Sequence, residues 1–367
     1  MISTRAPGKL YIAGEYAVVE PGQPAVLVAV DRYLTVQLVA NSHPDEVGRV
    51  HSSAYDSGPL VWARENDTGR IVVEHEPRDY VISAIRTVDR LRAERSLAPA
   101  YFDVHISSEL EHAGGRKYGL GSSAAVTVAL IEALDEFYQL GLTRTERFKL
   151  ALLATIQVSP RASGGDLAAS TYGGWIRYTA PDRSAVLDHL EKHGVTSSLT
   201  APGWGSFSVQ PLPAPHGLEL LVGWTGSPAS TEILVAGVQP SGVPYHSFLQ
   251  DSRDCVDELV AGLAPGPDGT CDAERVRRAV WNARRVLQRL GESAGILLET
   301  ETLRRLCDIA EEHGAGGKPS GAGGGDCGIV LTPTAGAATG ILAEWARHAI
   351  SQLHLVVHPP EGGGHEH

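Results

Sequence analysis

The stretch KYGLGSSAAVTVAL, residues 117–130, joins glycines and serines to an apolar helical pattern. Gly119 and Gly121 have no Cβ, so a ligand can approach their backbone closely. Ser122 and Ser123 stand at the start of the helix, where unpaired N–H groups and the helix dipole favour anions. The run is not a G-x-x-x-x-G-K-[ST] loop. It predicts a site for nucleotide phosphates, with the Ser123 hydroxyl as a ligand for Mg²⁺. The alternative is a glycine-rich turn with serine caps.

Two further stretches carry residues that suit the same chemistry. APGKLYIAGEYAVV, residues 6–19, places Lys9 after a Pro-Gly pair, and KPSGAGGGD, residues 318–326, is a second glycine-rich run. Phosphoryl transfer depends on positioning and charge neutralisation, which glycine-rich backbone, lysines and Mg²⁺ can provide. Taken alone, Lys9 has a simpler alternative as a surface lysine after a turn.

In this order and at these separations, the three stretches resemble the motifs of the GHMP kinases, the superfamily of galactokinase, homoserine kinase, mevalonate kinase and phosphomevalonate kinase. The middle motif matches over residues 119–125 and the third over residues 319–326, each without a gap. The resemblance covers nearly the whole chain. It implies an α+β fold of two domains, the first like domain 2 of ribosomal protein S5 and the second ferredoxin-like. The active site is expected in the cleft between them.

The resemblance also implies roles for individual residues. The ATP phosphates are expected at Gly119, Leu120, Gly121, Ser122, Ser123 and Ala124. The expected catalytic residues are Lys9 at the transferring phosphoryl group, Asp166 near the attacking oxygen, and Lys117 close to the phosphates. For Asp166 the alternative is a helix N-cap. The acceptor is expected to contact Lys9, Arg161, Ser163, Ser320, Gly321 and Ala322.

Within the superfamily, four stretches resemble the bacterial phosphomevalonate kinases: RKYGLGSSAA, ASGGDLAASTYGGWIRY, GWTGSPASTEILV and YVISAI. This implies ATP-dependent phosphorylation of 5-phosphomevalonate to the 5-diphosphate, in the mevalonate pathway of isoprenoid biosynthesis. Residues 160–162 are Pro-Arg-Ala, where small polar residues are more usual in these enzymes. This departure concerns the contacts with the acceptor and not the ATP chemistry. Mevalonate kinase and a non-catalytic nucleotide-binding relative are the alternatives, and the retained Lys9 and Asp166 argue against the second.

Several other polar residues allow two interpretations. Ser227 and Ser230, in TGSPAST, suit either a second anion or the cap of the next helix. Glu15 suits either a partner that orients Lys9 or a partly exposed carboxylate at the end of a strand. The histidines show no metal-ligand spacing and are expected in the core or at the surface; they include His51, His105 and His112.

The elements that position these residues follow from periodicity. Residues 25–40 are rich in β-branched side chains and predict one or two strands. Apolar residues at helical spacing predict a helix along Val81, Ile85, Val88 and Leu91. Later in the chain we expect a strand at LELLVGWTG, helices at about 274–290, 300–313 and 337–349, and a last strand at LHLVVH.

The predicted division of the chain is an N-terminal domain over 1–205, a C-terminal domain over 206–358 and a disordered tail over 359–367. Residues 180–217, rich in Pro, Gly and Ser, are expected to cross between the domains. Irregular alternation of strands and helices favours mixed or antiparallel sheets.

Composition and net charge argue against two classes of binding partner, nucleic acids and membranes. The chain has 367 residues and a net charge of −12, which argues against general affinity for nucleic acid or anionic membranes. It shows no apolar run of the roughly 18 residues that span a bilayer and no signal-peptide core. Its four scattered cysteines suggest reduced thiols in the cytoplasm. The resemblance implies small-molecule substrates, ATP and 5-phosphomevalonate, as the partners, and a homodimer is left open.

Overall fold

The computed structural model describes residues 1–41, 47–55, 58–73, 79–112, 115–227, 234, 238, 242–333 and 336–361, with the side chains of 242–244 excepted. Strands in these ranges form two sheets, one of eight strands and one of four. No helix in these ranges has the length and apolar character needed to cross a bilayer. The apolar core is continuous across the two sheets, from Leu10 and Val28 to Val256 and Ile329.

The larger sheet contains the strands β1 (Ile2–Ala13), β2 (Pro24–Asn41), β3 (Val47–His51), β4 (Leu60–Arg64), β5 (Ile71–Val73), β6 (Tyr101–Ser108), β7 (Trp175–Thr179) and β8 (Ser208–Leu212). Their order is β5-β4-β3-β6-β2-β7-β8, and β1 pairs antiparallel with β2. Strands β3 and β6 are parallel, which makes the sheet mixed, as expected for the α+β fold. Residues 25–40 form part of one long strand, β2.

Helices cover this sheet. They are α1 (Tyr80–Glu94), α2 (Ser122–Tyr138), α3 (Arg144–Val158), α4 (Gly165–Tyr172) and α5 (Arg183–Ser198). Helix α2 packs on β1 and β2, and α1 packs on α2 and α3. The four apolar residues that predicted α1 are all buried, which confirms that helix. The packing of α2 on β1 brings the glycine-rich run next to Lys9.

The smaller sheet is antiparallel and has the order β10 (Gly316–Pro319), β11 (Cys327–Pro333), β9 (Leu218–Trp224) and β12 (Ser351–Leu353). Its helices are α6 (Gly242–Leu263), α7 (Ala273–Ala294), α8 (Glu301–Glu312) and α9 (Ala337–Arg347). Helices α7 and α8 pack on β10. The three predicted helices of this part correspond to α7, α8 and α9.

Residues 180–217 do not cross between the sheets as expected. They contain α5 and β8, and β8 pairs with β7 from Thr179↔Ser208 to Trp175↔Leu212. The first sheet therefore continues to Leu212, beyond the predicted boundary at 205. The Pro, Gly and Ser residues mark turns between short elements of the N-terminal domain, which composition alone does not distinguish from a linker.

The end of the chain also differs from the prediction. The last strand stops at Leu353, and the segment LHLVVH leaves the smaller sheet instead of extending it to 358. Val357 forms a bridge with Val30 of β2, and the Glu361 N–H donates to the Tyr172 carbonyl at 3.1 Å. Residues 359–361 therefore lie on the N-terminal domain and not in a disordered tail as predicted. Residues 362–367 lie outside the described residues.

Candidate active site

The glycine-rich run ends where α2 begins, as the sequence predicts. Gly121 is the N-cap in a left-handed conformation, with φ 82°, and no side chain caps the helix. The first-turn N–H groups of a helix lack intrahelical acceptors, and the positive end of the dipole lies there. The Leu120 carbonyl accepts a hydrogen bond of 2.9 Å from the Lys9 amide, which ties the run to β1. This helix start can bind an anion.

The two glycines of the run are required by contacts within the protein. A Cβ at Gly119 would lie 2.6 Å from the Cβ of Asp326, and one at Gly121 would lie 2.8 Å from Lys9 Cε. Both glycines have positive φ, where other residues are strained. The sequence predicted approach by a ligand, whereas the structure shows that two side chains of the protein already fill this space. The middle and third motifs therefore touch.

Lys9 and Asp166 meet beside Gly121. The Lys9 Nζ lies 3.4 Å from Asp166 Oδ2 and donates a 3.3 Å hydrogen bond to the Gly119 carbonyl. It also lies 5.5 Å from the centroid of the Tyr11 ring. The Lys9 side chain is 7% exposed and that of Asp166 is 34% exposed. The site thus combines a buried ammonium group with a carboxylate that a ligand can reach.

Asp166 lies in the first turn of α4, whose N-cap is Gly164, so the N-cap interpretation of Asp166 is wrong. The Ser163 hydroxyl accepts a 3.2 Å hydrogen bond from the Gly165 amide and lies 3.1 Å from the Tyr11 Oη. Burial, and to a lesser degree the charge of Asp166, raise the pKa of Tyr11 well above its usual value. Tyr11 is therefore a neutral partner at neutral pH, and Ser163 helps to orient the start of α4.

The third motif is bound to β1. The Ser320 hydroxyl accepts from the Tyr11 amide at 2.9 Å and donates to the Tyr11 carbonyl at 3.1 Å. The Gly321 amide donates to a carboxylate oxygen of Glu15 at 3.4 Å. These bonds fix the loop next to the residues that hold α4. The roles of Ser320 and Gly321 as acceptor ligands stay predictions.

Glu15 does not lie at Lys9, nor is it partly exposed, so both interpretations of this residue are wrong. Its carboxylate is buried and pairs with the ammonium group of Lys318. Lys318 is a residue that the sequence interpretation missed. One feature of the sequence could have drawn attention to it: Lys318 directly precedes the third motif, and the other residues of its short strand are glycine and proline. The next residue, Tyr16, donates a 2.6 Å hydrogen bond to the Ala322 carbonyl, so Ala322 is also held by the turn after β1.

Other predicted residues lie at the rim. Lys117 is exposed and forms an isolated β-bridge with Glu111. Arg161 is exposed and donates to the Val238 carbonyl at 3.3 Å. Ser123 is exposed on the first turn of α2, where a phosphate or a cation has access to its hydroxyl. The structure brings Lys9 and Asp166 together, whereas the contacts of Lys117 and Arg161 described here are with Glu111 and Val238, so the roles of these two stay predictions.

Aromatic residues that the sequence interpretation missed join the glycine-rich run to the smaller sheet. The Trp224 ring at the end of β9 packs edge-on against Tyr118, with centroids 5.0 Å apart, and stacks on His112 at 5.4 Å. The Cys327 thiol donates to the Tyr118 carbonyl at 2.8 Å. Arg116 lies over Trp224 at 5.2 Å. The segment before α2 is therefore anchored on both parts of the chain.

The remaining candidates do not add to this cluster. Ser227 is exposed, and Ser230 and Thr231, where the next helix was expected to begin, lie outside the described residues. His51 and His105 stack on neighbouring strands, with centroids 4.4 Å apart. The part of the chain that the structure describes holds no group of three His, Cys, Asp or Glu residues able to bind a metal ion. Its four cysteines are free and buried.

Comparison with family models gives two matches. Residues 79–174 match the model described as the GHMP kinases N terminal domain, and residues 272–351 match the GHMP kinases C terminal model. A phosphomevalonate kinase of Streptomyces sp. (strain CL190) is 47% identical over 343 residues, which are 90% of this chain and 89% of that protein. A mevalonate kinase of Pyrococcus horikoshii is 28% identical, over 89% of this chain and 88% of its own length.

Two solved structures are similar over almost their whole length. The Lin0012 protein of Listeria innocua superposes with a TM-score of 0.88 at 34% identity, covering 98% of this chain and 99% of the other. Streptococcus pneumoniae phosphomevalonate kinase in complex with phosphomevalonate and AMPPNP superposes with a TM-score of 0.83 at 28% identity, covering 97% and 100%. The two-domain arrangement described above is therefore that of a phosphomevalonate kinase structure.

Proposed function

This chain belongs to the GHMP kinase family, and we propose that it transfers the γ-phosphoryl group of ATP to the phosphate of 5-phosphomevalonate. The product is 5-diphosphomevalonate, in the mevalonate pathway of isoprenoid biosynthesis. The observation that carries the choice of acceptor is the 47% identity with the Streptomyces phosphomevalonate kinase over 90% of the chain. The Streptococcus enzyme, which binds phosphomevalonate and AMPPNP, shares the fold and supports the same assignment.

The start of α2 is the proposed site of the ATP phosphates, at residues 119–124. Its uncapped N–H groups and dipole favour negative charge, and Lys9 adds a full positive charge beside it. Mg²⁺ binds oxygen ligands, and the exposed Ser123 hydroxyl on α2 and the Asp166 carboxylate on α4 are oxygen donors of that kind. When bound, Mg²⁺ neutralises charge on the phosphates.

The acceptor is proposed to lie on the side of Lys9 and Asp166. A phosphate oxygen of 5-phosphomevalonate forms a bond to the γ-phosphorus while the bond from that phosphorus to the β,γ-bridging oxygen breaks, and ADP leaves. A phosphate monoester has a second pKa of about 6, so at pH 7.5 the attacking oxygen is mostly deprotonated already. Lys9 neutralises the charge of the two phosphoryl groups. Asp166 holds Lys9 in place and accepts a residual acceptor proton.

The second candidate is mevalonate kinase, because archaeal mevalonate kinases are 26–29% identical over most of the chain. The third is a nucleotide-binding relative without turnover. The pairing of Lys9 with Asp166 at 3.4 Å next to the helix start argues against the third, since a protein that only binds nucleotide has no need of groups for an acceptor.

The test is ADP release with Mg·ATP, measured side by side on 5-phosphomevalonate and on mevalonate. We expect turnover on the first and a kcat/KM about 10- to 100-fold lower on the second, because mevalonate lacks the charge-assisted contact of its phosphate. A Lys9→Ala protein purified in the same way controls for contaminating kinases. Comparable kcat/KM on both acceptors would contradict the assignment, and nucleotide binding without turnover on either would support the third candidate.

Location and assembly complete the proposal. A cytoplasmic location agrees with the four free thiols among the described residues, because cysteines stay reduced in that compartment. The small-molecule substrates are the proposed partners. A homodimer remains a prediction, which light scattering of the purified protein would test.

A further inference from the structure

A buried ion pair joins the two sheets next to the active site. Glu15 lies two residues after β1 and Lys318 lies in β10, and their side chains are 3% and 0% exposed. The Lys318 ammonium also donates a 2.6 Å hydrogen bond to the Pro319 carbonyl. We call Glu15 and Lys318 the buried pair. Nothing in the proposed reaction requires either group to touch a substrate.

Stability alone does not explain such a pair. Apolar residues of similar volume often replace a buried ion pair without loss of stability, because desolvation cancels most of the attraction between the charges. The buried pair instead fixes the position of the third motif. The Glu15 carboxylate that binds Lys318 also accepts the Gly321 amide at 3.4 Å, so it holds the backbone of the third motif as well as its lysine.

The residue after Glu15 holds the same loop. Tyr16 has a φ of 61°, an uncommon conformation for a residue other than glycine, and its hydroxyl donates to the Ala322 carbonyl at 2.6 Å. Strained backbone of this kind persists where the surrounding contacts determine it. Glu15 and Tyr16, which are consecutive in the N-terminal domain, thus form hydrogen bonds with Gly321 and Ala322, which are consecutive in the third motif.

From this loop an unbroken series of contacts reaches the proposed reaction centre. Ser320 binds the backbone of Tyr11 through both its donor and its acceptor. The Tyr11 hydroxyl binds Ser163, and Ser163 accepts the Gly165 amide at the start of α4. Asp166 is the next residue of that helix, and it lies 3.4 Å from the Lys9 ammonium.

We propose that the buried pair is a positioning device: by fixing the third motif on the turn after β1, it sets the geometry of Asp166 and Lys9. Glu15 and Lys318 are positioning residues, since both act through other groups. This inference rests on the proposed function. Variant-to-wild-type ratios can nevertheless be measured with whichever acceptor the wild-type protein uses, so a wrong acceptor would not be mistaken for a failure of the pair.

The test compares a double variant, Glu15→Leu with Lys318→Met, to wild type in thermal unfolding and in steady-state kinetics. We expect a Tm close to wild type, because the charges are replaced together. We expect kcat about 10- to 100-fold lower, the size of effect that a misplacement near 1 Å produces. The KM values for both substrates should change little, because the lost interaction orients groups for reaction rather than holding the substrates.

Two single variants sharpen the comparison. Glu15→Gln keeps an oxygen for the Gly321 amide but leaves the Lys318 ammonium without a counter-charge, so it should lower the Tm and retain more of kcat than the double variant does. Arg64→Met is the matched control, because Arg64 pairs with Asp89 at 2.8 Å with side chains only 8% and 13% exposed, on β4 of the larger sheet. It should lower the Tm and leave kcat unchanged.

A folded double variant with wild-type kcat would overturn the proposal. So would a loss of activity that follows the loss of Tm across all variants, the control included. If the double variant does not fold, Ser320→Ala decides, since it breaks the next link without uncovering a charge. A kcat about tenfold lower with unchanged KM for the acceptor supports the proposal, and a wild-type kcat or a raised KM with unchanged kcat overturns it.

Discussion

Gly121 brings the start of α2 into contact with Lys9, and this contact decides what the position tolerates. The Cβ of any other residue would lie 2.8 Å from Lys9 Cε and 3.4 Å from Asp166 Oδ2. The expected effect of a side chain here is therefore a displaced lysine, before any effect on the space for a phosphate. At the residue scale, the arrangement of the site therefore depends on the position of the Lys9 ammonium group.

Gly121→Ala is predicted to lower kcat about 100-fold, because a shift near 1 Å in a reacting group has an effect of that size. The positive φ adds about 1–2 kcal/mol of destabilisation. Gly141→Ala is the matched control, since Gly141 has φ 64° and a Cβ there would meet nothing within 4 Å. Both variants should lose similar stability in denaturant unfolding. Equal turnover by the two would show that the contact with Lys9 does not matter.

Lys9→Ala is predicted to be more damaging than Asp166→Asn. Lys9 carries the buried positive charge of the site, whereas the phosphate acceptor needs little help from a base at neutral pH. A general base contributes about 10²–10⁴-fold where a proton must be removed. Because the second pKa of the acceptor phosphate is about 6, the loss in Asp166→Asn should grow below pH 6, where the monoanion dominates.

The measurement is kcat against pH from 5 to 9 for Lys9→Ala and Asp166→Asn with 5-phosphomevalonate. Uniform abolition of turnover in Asp166→Asn, together with substantial turnover in Lys9→Ala, would make the aspartate an obligatory base. The mechanism given above would then be wrong.

At the scale of elements, the short helix α4 presents Asp166, and its position depends on β1 more than on its own sequence. It has eight residues and no side-chain cap. A helix of that length is marginal without tertiary contacts. The Tyr11 hydroxyl on β1 supplies one such contact through Ser163, and the Ser170 hydroxyl supplies another by donating to the Pro7 carbonyl at 2.8 Å.

Tyr11→Phe is predicted to cost about 0.5–1.5 kcal/mol of stability through the lost hydrogen bond to Ser163. A comparable loss in the transition state would lower kcat several-fold, up to about 10-fold. Tyr55→Phe is the control, because its hydroxyl donates to Asp79 at 2.7 Å at the N-cap of α1, away from the site. It should cost similar stability in thermal unfolding with no change in kcat. A wild-type kcat for Tyr11→Phe would mean that Ser163 needs no support from β1.

At the scale of the whole molecule, the end of the chain returns from the smaller sheet and binds the larger one. Four backbone hydrogen bonds join residues 356–361 to Ala29, Asp31, Tyr172 and Gly174. The segment contacts both β2 and the end of α4, so it links the smaller sheet to the helix that carries Asp166. It acts together with the continuous core to hold the two parts of the chain in one arrangement.

A variant that ends at Leu353 is predicted to be less stable than one that ends at Glu361, by about 2–4 kcal/mol. Each lost hydrogen bond contributes about 0.5–1.5 kcal/mol, and the freed segment regains part of this as conformational entropy. The measurement is urea unfolding of both variants at pH 7.5. The variant that ends at Glu361 keeps the segment and serves as the control. Equal midpoints would show that the segment adds nothing to stability.

The difference between the two truncations should depend on pH. Burial lowers the pKa of His358 below its usual value of 6.5. The free segment therefore binds a proton more readily than the docked one, and docking weakens as the pH falls below about 6.5. The two unfolding midpoints should approach each other between pH 6.5 and 5. A gap that stays constant over this range, or a His358→Asn variant with the same pH dependence, would contradict the assignment to His358.

The sequence by itself predicted a phosphate site at the residues that form the start of α2, and the family resemblance singled out Lys9 and Asp166, which the structure brings together. Helix starts and glycine-rich turns obey rules that act over a few residues, so these features can be read locally. Helix α6 was not predicted, but helices α7, α8 and α9 followed from periodicity for the same reason. The domain boundary did not, because a turn-rich segment and a linker have the same composition.

Only the tertiary structure decided the partner of Glu15. Glu15 and Lys318 are 303 residues apart in the chain, and local patterns carry no information on which distant residue a buried carboxylate will meet. The same holds for the contacts of Gly119 with Asp326 and of Trp224 with Tyr118. These depend on how two sheets pack, which is set by the shape and burial of many side chains together. The sequence indicated the residues that are proposed to form the site, but it did not predict the contacts that hold them in place.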